Sequence, residues 1–310
     1  MDESTRVSRL ALPTGHFHMV LDTDTANEVD DQFAIAYAVR STEAGEMTLD
    51  AIYAAPFPVG GDESRAGEGM ERSFEEAGRV LAHTKTALSV PVLRGSDRYV
   101  GDSGAAMSPA ALDLIRRAMA MPDGEVLYVA AIGAPTNVAS ALLLEPKIAD
   151  KIVVVFLGGT GFYWPNTLEF NIRQDVAASR VLLDSGVPLI LCPTYSVTVL
   201  LRTSVYEIDH FLAGKSEIGT YLADIVRRRA EGDIATVTPD FAWSKVIWDI
   251  AAPALLLHPE YTRSSLVPAP ILNGGDVPRF SFDNTRHLIR VLDFIDRDRV
   301  FTDVFRKLAK

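Results

Sequence analysis

The chain of 310 residues carries a formal net charge of −11 at pH 7, and 48% of its residues are hydrophobic. This length and apolar content are sufficient for a large buried core, while the acidic balance with scattered Lys and Arg argues against a nucleic-acid-binding surface. The single cysteine, Cys192, excludes a disulfide within one chain, which favours a reducing cytoplasmic location.

The ends of the chain and its most apolar run bear on domain organisation. Residues 1–15 are polar and mixed in charge, which predicts a flexible tail rather than a signal peptide. Residues 16–310 are expected to form one domain. The uncharged run Val126–Leu144 is nearly long enough to cross a bilayer, but Gly133 and Pro135 in its middle indicate a strand, a tight loop and a helix. No membrane span is therefore expected.

Strand-like and helix-like segments alternate along most of the chain. The predicted strands are Met19–Leu21, Leu49–Ala55, Val90–Leu93, Val126–Ile132, Lys151–Leu157, Val187–Leu191 and Leu288–Phe294. The predicted helices are Phe33–Val39, Glu71–Thr86, Pro109–Met119, Thr136–Leu144, Gln174–Ser185, Val205–Leu212, Glu217–Glu231, Ala242–Leu257 and Arg297–Leu308. This alternation predicts the α/β class, with a single-domain, open, mostly parallel, doubly wound sheet flanked by helices. Antiparallel strands are expected in Tyr261–Asp283, which fits the alternation less well.

An acidic stretch lies where the first strand passes into the first helix. It contains Asp22, Asp24, Asp30 and Asp31. Ligands bind at this edge of open α/β sheets, and crowded carboxylates repel one another unless a cation or protons intervene. Carboxylate oxygens suit Ca²⁺ or Mg²⁺ better than zinc. The alternative is an acidic surface loop in front of a capped helix.

Three other stretches carry residues suited to a binding site. The turn Ile132–Asn137 either caps the next helix or offers a backbone carbonyl to a cation. The glycine-rich stretch Leu157–Asn171 is either a surface loop or a sugar-binding loop, in which Glu169 and Asn171 point the same way if the chain is extended. The loop Arg98–Gly104 could close over a ligand, although an ordinary loop is the simpler interpretation.

Near the C-terminus, Asp249 lies in an apolar segment. An unpaired buried carboxylate is costly, so Asp249 needs a partner such as a bound cation. Its neighbour Trp248 is either a core residue or a platform for a ligand. The six histidines do not cluster at metal-binding spacing, and no HExxH, CxxC, Gly-x-Ser-x-Gly or P-loop motif occurs. Their absence excludes zinc hydrolases, serine hydrolases of the usual kind and nucleotide triphosphatases.

Together these motifs resemble those of the nucleoside hydrolases, in the same order, from about Met19 to the C-terminus. The matching segments are Asp22–Asp31, Gly133–Asn137, Gly158–Asn171 and Trp248–Asp249. The resemblance implies an open, mostly parallel α/β sheet, a homodimer or homotetramer, and one Ca²⁺ ion. It also implies hydrolysis of the N-glycosidic bond of ribonucleosides to ribose and free base.

By resemblance, Asp24, Asp31, Asp249 and the carbonyl of Thr136 bind the Ca²⁺ ion. Asp24 would also deprotonate the attacking water, and Asp22 would support this site from behind.

By the same resemblance, Asp30, Glu169 and Asn171 hold the ribose hydroxyls. The stretch between the acidic pairs is two residues longer than in the usual family motif, and Asn27 within it is a further candidate contact to the ribose. Tyr163 falls near the position of a ribose-binding asparagine that this sequence lacks.

The last departure concerns Trp248, which stands where many members carry a histidine that protonates the leaving base. This substitution resembles the purine-preferring branch, in which an indole stacks on the base. The negative face of an indole ring favours a protonated purine, so stacking would replace the general acid. We therefore expect purine or modified purine nucleosides as substrates, with Trp248 as a catalytic residue.

Two other functions are compatible with parts of the sequence. Val20–Thr25 also fits the Asp-x-Asp-x-Thr opening of haloacid-dehalogenase-type phosphatases, with Asp22 as nucleophile and Mg²⁺ as the ion. That family needs a downstream Lys and acidic pair that do not follow here. The other is a non-catalytic nucleoside- or sugar-binding protein that kept the metal site, although such a protein has no need of Asp24 as a base.

Overall fold

The computed structural model describes residues 1–101, 104–238, 241–275 and 277–310. Numbered in chain order within these residues, the strands are β1 (His18–Thr23), β2 (Thr48–Ala54), β3 (Val92–Arg94), β4 (Leu127–Ala131), β5 (Ile152–Leu157), β6 (Leu189–Cys192), β7 (Arg202–Thr203), β8 (Lys245–Val246), β9 (Thr262–Pro268), β10 (Ile271–Asn273), β11 (Arg279–Ser281) and β12 (Leu288–Ile295). The helices are α1 (Glu3–Arg9), α2 (Asp31–Glu43), α3 (Ala66–Thr84), α4 (Pro109–Ala120), α5 (Thr136–Leu144), α6 (Phe170–Gln174), α7 (Val176–Asp184), α8 (Val205–Phe211), α9 (Glu217–Ala235), α10 (Ala251–Leu257) and α11 (Arg297–Leu308).

Over the described residues, eight strands form one open sheet in the order β3-β2-β1-β4-β5-β6-β12-β9. Every neighbouring pair is parallel except β12 and β9. The predicted fold class is confirmed, and so are antiparallel strands in Tyr261–Asp283, which contains β9 and the antiparallel pair of β10 and β11. The strand order reverses between β1 and β4, and the carboxyl ends of such a pair are where open α/β sheets bind ligands.

The core consists of two apolar layers, one on each face of the sheet. Successive side chains of a strand point to opposite faces, so Met19 and Leu21 of β1 pack into one layer and Val20 into the other. Because both faces are covered by helices, the central strands are apolar throughout their length. Cys192 is buried at the end of β6, as expected for a small apolar residue.

The N-terminal residues differ from the predicted flexible tail. They form α1, followed by Leu10, which is fully buried. The Nε of Arg6 donates to the carbonyl of Gly186 at 2.9 Å, and Arg290 donates to the carbonyl of Leu10. These contacts with distant parts of the chain give the segment a structure that its own sequence does not specify.

Two predicted helices are wrong in part. Ala242–Leu257 contains the strand β8, a 3₁₀ turn at Trp248–Ile250 and then α10, because β8 pairs with β7 rather than continuing a helix. Gln174–Ser185 is divided at Asp175, whose side chain caps α7 by accepting from the amide of Ala178 at 3.0 Å. No helix within the described ranges is long and apolar enough to cross a membrane.

Candidate functional site

A cavity of about 360 Å³ opens at the carboxyl ends of the central strands. Its floor comes from the segments that follow β1, β4, β5 and β6, and one wall comes from the β7–β8 pair and the turn after it. The lining residues are Asp24, Asn27, Glu28, Asp30, Asp31, Ile132, Leu157, Glu169, Phe170, Asn171, Thr194, Tyr195, Arg202, Ser244, Lys245, Val246, Trp248 and Asp249. Eight of the predicted site residues therefore meet in one place.

Four buried aspartates form the floor of this cavity. Asp30, Asp31 and Asp249 each place a carboxylate oxygen within 4.8 Å of the others, and Asp24 lies beside them. Burial, and then the neighbouring carboxylates Asp30 and Asp31, raise the pKa of both Asp24 and Asp249 well above the ordinary range. Burial followed by repulsion from Asp30 raises the pKa of Asp31 to about 7. A bound cation would relieve this repulsion.

Two carboxylate oxygens in the floor have no hydrogen-bond partner among the described residues. They are Oδ2 of Asp24 and Oδ1 of Asp30, and both are buried. A buried acceptor without a donor is costly, so Oδ2 of Asp24 points to a ligand that supplies a positive charge or a hydroxyl. Oδ1 of Asp30 lies 3.8 Å from the ammonium group of Lys245, too far for a hydrogen bond, and can still accept one from a ligand hydroxyl. A donor set made of carboxylate oxygens fits a hard divalent cation such as Ca²⁺.

The position of Asp24 depends on the close approach of Gly133, which follows β4. A Cβ atom at Gly133 would lie 2.9 Å from Oδ1 of Asp24 and 3.1 Å from its amide nitrogen. On the other side, the amide of Asn27 donates to the carbonyl of Asp24 at 2.8 Å. Only a residue without a side chain leaves Asp24 room between β1 and β4.

Asp22 lies behind the floor and does not line the cavity. Its Oδ1 accepts from Nδ2 of Asn137 at 2.8 Å, and burial raises its pKa to about 7. Oδ1 of Asn137 in turn accepts from the amide of Ser96 at 2.7 Å. Asn137 therefore connects β1 to the segment after β3, and this supporting place is the one predicted for Asp22.

Glu169 and Asn171 line the cavity, but not side by side on an extended chain as predicted. Glu169 caps α6 and accepts from the amides of Gly159, Asn171 and Ile172. The Nδ2 of Asn171 donates to the carbonyls of Ile132 and Leu157, both at 2.9 Å. Glu169 and the Asn171 amide group are thus committed to the backbone, which leaves Oδ1 of Asn171 as the atom available to a ligand.

The aromatic side chains also differ from the prediction. Trp248 lines the cavity, whereas Tyr163 does not and is 81% exposed. Tyr195, which the sequence analysis missed, lines the cavity and packs edge-to-face against Trp248 with ring centroids 5.9 Å apart. Tyr195 follows the strand predicted at Val187–Leu191, so the strand-end signal used for the other loops could have identified it.

Lys245 is a further cavity residue that was not predicted. Its ammonium group binds the carboxylate of Glu28 and lies 3.8 Å from Oδ1 of Asp30. Burial lowers the pKa of Lys245, but Asp30 and Glu28 raise it more, so Lys245 stays protonated. The amide of Trp248 donates a hydrogen bond to Oδ2 of Asp30 at 3.3 Å. The segment from Lys245 to Trp248 therefore approaches both oxygens of that carboxylate, Oδ2 through this hydrogen bond and Oδ1 through the charge of Lys245.

Thr136 and the described residues of the Arg98–Gly104 loop are not among the residues that line the cavity. The hydroxyl of Thr136 donates to Asp175 at 2.8 Å, and the amide of Val100 donates to the same carboxylate oxygen at 2.8 Å. The role of the Thr136 carbonyl as a metal ligand stays a prediction. Residues 102 and 103 of the loop lie outside the described residues.

Comparisons with known proteins agree with this architecture. The sequence model of a family described as inosine-uridine preferring nucleoside hydrolase matches residues 19–302. The pyrimidine-specific ribonucleoside hydrolase RihA of Salmonella typhimurium is 25% identical over 242 residues, which are 70% of this chain and 71% of that protein. The purine-preferring ribonucleoside hydrolase of Gardnerella vaginalis superposes with a TM-score of 0.73 and 20% identity, over 94% of this chain and 98% of that one.

A shorter match has higher identity. The putative pyrimidine-specific ribonucleoside hydrolase RihB of Shigella boydii is 35% identical over 113 residues, which are 35% of this chain. The match spans 43% of the length of that relative. The family match does not support the haloacid-dehalogenase alternative.

Proposed function

Because the chain belongs to the inosine-uridine preferring nucleoside hydrolase family, we propose that it is a Ca²⁺-dependent hydrolase of the N-glycosidic bond of ribonucleosides, with a preference for purine or modified purine bases. The observation that carries this proposal is a pair of buried oxygens, Oδ2 of Asp24 and Oδ1 of Asp30, that accept no hydrogen bond from the described residues, in a cavity with the indole of Trp248 on its wall. The expected homo-oligomer and the cytoplasmic location stay predictions.

Asp24, Asp31 and Asp249 would hold the Ca²⁺ ion. When bound, the ion makes a water molecule more acidic and so easier to deprotonate. Asp24 accepts the proton of the attacking water at Oδ2, which is buried and accepts no hydrogen bond from the described residues. Gly133 packs against this carboxylate and the amide of Asn27 holds the backbone carbonyl of Asp24, so the base does not have to be positioned during the reaction.

The ribose hydroxyls would be held by Oδ1 of Asp30, by Asn27 and by Oδ1 of Asn171. As the glycosidic bond lengthens, positive charge develops on the sugar, and the carboxylate floor stabilises that charge more than the neutral substrate. Glu169 contributes by holding the Gly159 amide and the start of α6, which keeps Asn171 in place.

The leaving base would be accepted by Trp248. None of the residues described as lining the cavity is a histidine, so the imidazole general acid that the resemblance leads one to expect has no counterpart there. Stacking on an indole face stabilises a protonated, cationic purine and so makes it a better leaving group. A pyrimidine offers a smaller ring to this face and gains less from it.

The test is the rate of ribose release from inosine, adenosine, guanosine, uridine and cytidine by the wild type and by Trp248→Ala. We expect purine nucleosides to be better substrates, and the variant to lose about 10- to 100-fold in kcat/KM on them, the worth of one stacked base. The loss on uridine and cytidine should be smaller. Intact turnover of purine nucleosides by Trp248→Ala would contradict the stacking role. If no nucleoside is hydrolysed but nucleosides still raise the melting temperature, the protein is a binding protein.

A further inference from the structure

We propose that Tyr195 and Trp164 form an outer subsite, continuous with Trp248, for a planar or apolar group attached to the base of the nucleoside. This inference rests on the proposed function, since it assumes that the base lies against Trp248. It specifies the substrate class further, because it favours nucleosides whose base carries a bulky ring or hydrocarbon substituent over unmodified ones.

The three rings are adjacent in series, from Trp248 and Tyr195 in the cavity lining to Trp164, which is not among the lining residues. The centroids of Trp248 and Tyr195 are 5.9 Å apart with an interplanar angle of 83°, and those of Tyr195 and Trp164 are 5.9 Å apart with an angle of 31°. A base stacked parallel to Trp248 is therefore nearly perpendicular to Tyr195. A substituent that extends from the edge of that base toward Tyr195 would contact the ring of Tyr195 and then that of Trp164.

Both outer rings are exposed although they are large and apolar. Tyr195 is 44% exposed and Trp164 is 43% exposed. Tyr195 lines the cavity, and Trp164 lies next to it outside the lining residues. Aromatic side chains gain most from burial, so two adjacent half-exposed rings beside a cavity indicate a surface that a ligand covers. Neither ring is needed to complete the apolar core described above, since neither belongs to its two layers.

The loop after β5, which carries Trp164, and the loop after β6, which carries Tyr195, are hydrogen-bonded and closely packed against each other. The amide and the hydroxyl of Thr194 both donate to the carbonyl of Gly159, at 2.9 Å and 2.8 Å. A Cβ atom at Gly161 would lie 2.9 Å from Cβ of Ser196, so the loop before Trp164 is packed closely against the loop that carries Tyr195. The amide of Trp164 donates to the carbonyl of Gly161 at 2.9 Å, which closes the turn. The two rings are thus preorganised, and little freedom is lost when a ligand covers them.

The direct test compares adenine with 6-benzylaminopurine by isothermal titration calorimetry, because a free base binds without being hydrolysed. We expect the wild type to bind 6-benzylaminopurine about three- to tenfold more tightly than adenine, the worth of an additional aromatic pair. Trp164→Ala should lose this difference and keep its affinity for adenine. The matched control is Tyr206→Ala, which removes an 87% exposed aromatic ring that does not line the cavity, and it should behave as the wild type.

Hydrolysis of adenosine and of N6-benzyladenosine by the same proteins gives the second readout. The subsite predicts that Trp164→Ala raises KM for N6-benzyladenosine alone, with kcat on adenosine unchanged. Equal affinity of the wild type for the two bases, no binding of either, or an equal loss for both in Trp164→Ala would overturn the proposal. Failure of the proposed function can be distinguished from failure of the subsite. It would appear as no hydrolysis of any nucleoside, whatever the affinities for adenine and 6-benzylaminopurine.

Discussion

Lys245→Met should lower the thermal stability of the metal-free protein. It should also increase the rise in melting temperature that Ca²⁺ produces. At 3.8 Å and an effective dielectric constant of about 20, the attraction between Lys245 and Asp30 amounts to about 4 kcal/mol. Removal of one partner of a buried ion pair costs about 3–5 kcal/mol, and proton uptake by the crowded carboxylates offsets part of it. We expect a loss of about 2–3 kcal/mol, which lowers the melting temperature by about 5 °C or more in a chelator.

The same substitution removes one positive charge beside a site proposed for a divalent cation. A ligand at 100 times its dissociation constant stabilises the folded state by about 2.7 kcal/mol, and tighter binding at the same concentration increases this value. Thermal denaturation with chelator and with a series of Ca²⁺ concentrations measures both effects, with Lys147→Met, which changes an exposed lysine, as the control. A Ca²⁺-induced shift smaller in Lys245→Met than in the wild type would refute this electrostatic account of the site.

Two other substitutions test the supports of the structure. In Gly133→Ala the new Cβ would clash with Asp24. We therefore expect at least a tenfold loss of kcat/KM on inosine and a smaller rise in melting temperature on addition of Ca²⁺. Wild-type values for both would contradict the fixed position of the Asp24 carboxylate. Nε2 of His258 lies 3.0 Å from Oδ2 of Asp303, and this hydrogen bond raises the pKa of His258. The stabilisation that the charged pair provides is therefore complete below the pKa of His258 in the unfolded state. It is lost as the pH rises through the pKa of His258 in the folded state. Urea denaturation of His258→Gln should show a deficit of about 1–2 kcal/mol at pH 5.5 that shrinks by pH 9. A deficit independent of pH would exclude a charged pair.

The acidic floor could be predicted because the carboxyl ends of parallel strands meet at one edge of a sheet. Asp24 follows β1 directly and Asp30 and Asp31 lie at the start of the next helix, so any open α/β arrangement brings them to that edge. Asp249 could be found because a carboxylate in an apolar segment needs a partner. Most strands of the large sheet could be located, and their parallel direction predicted, because strands inside a parallel sheet are continuous apolar runs.

The wall of the cavity could not be predicted, because it depends on contacts between distant segments. Lys245 belongs to a strand of two residues that exists only by pairing with β7, and no periodicity marks so short an element. Glu169 and Asn171 were predicted as site residues and line the cavity, but their hydrogen bonds to backbone groups of Gly159, Ile132 and Leu157 follow from where the chain turns. A carboxylate in a sequence does not show whether it will cap a helix or bind a ligand.

The central claim is that Asp24 acts as a base in a metal-dependent cleavage of the N-glycosidic bond. The most direct measurement is the rate of ribose release from inosine by the wild type and by Asp24→Asn, first in chelator and then with Ca²⁺ restored. We predict release by the wild type that disappears in chelator and returns with Ca²⁺, and a loss of at least a hundredfold in Asp24→Asn at saturating Ca²⁺. Chelator-resistant release, or an Asp24→Asn variant as active as the wild type, would contradict the account.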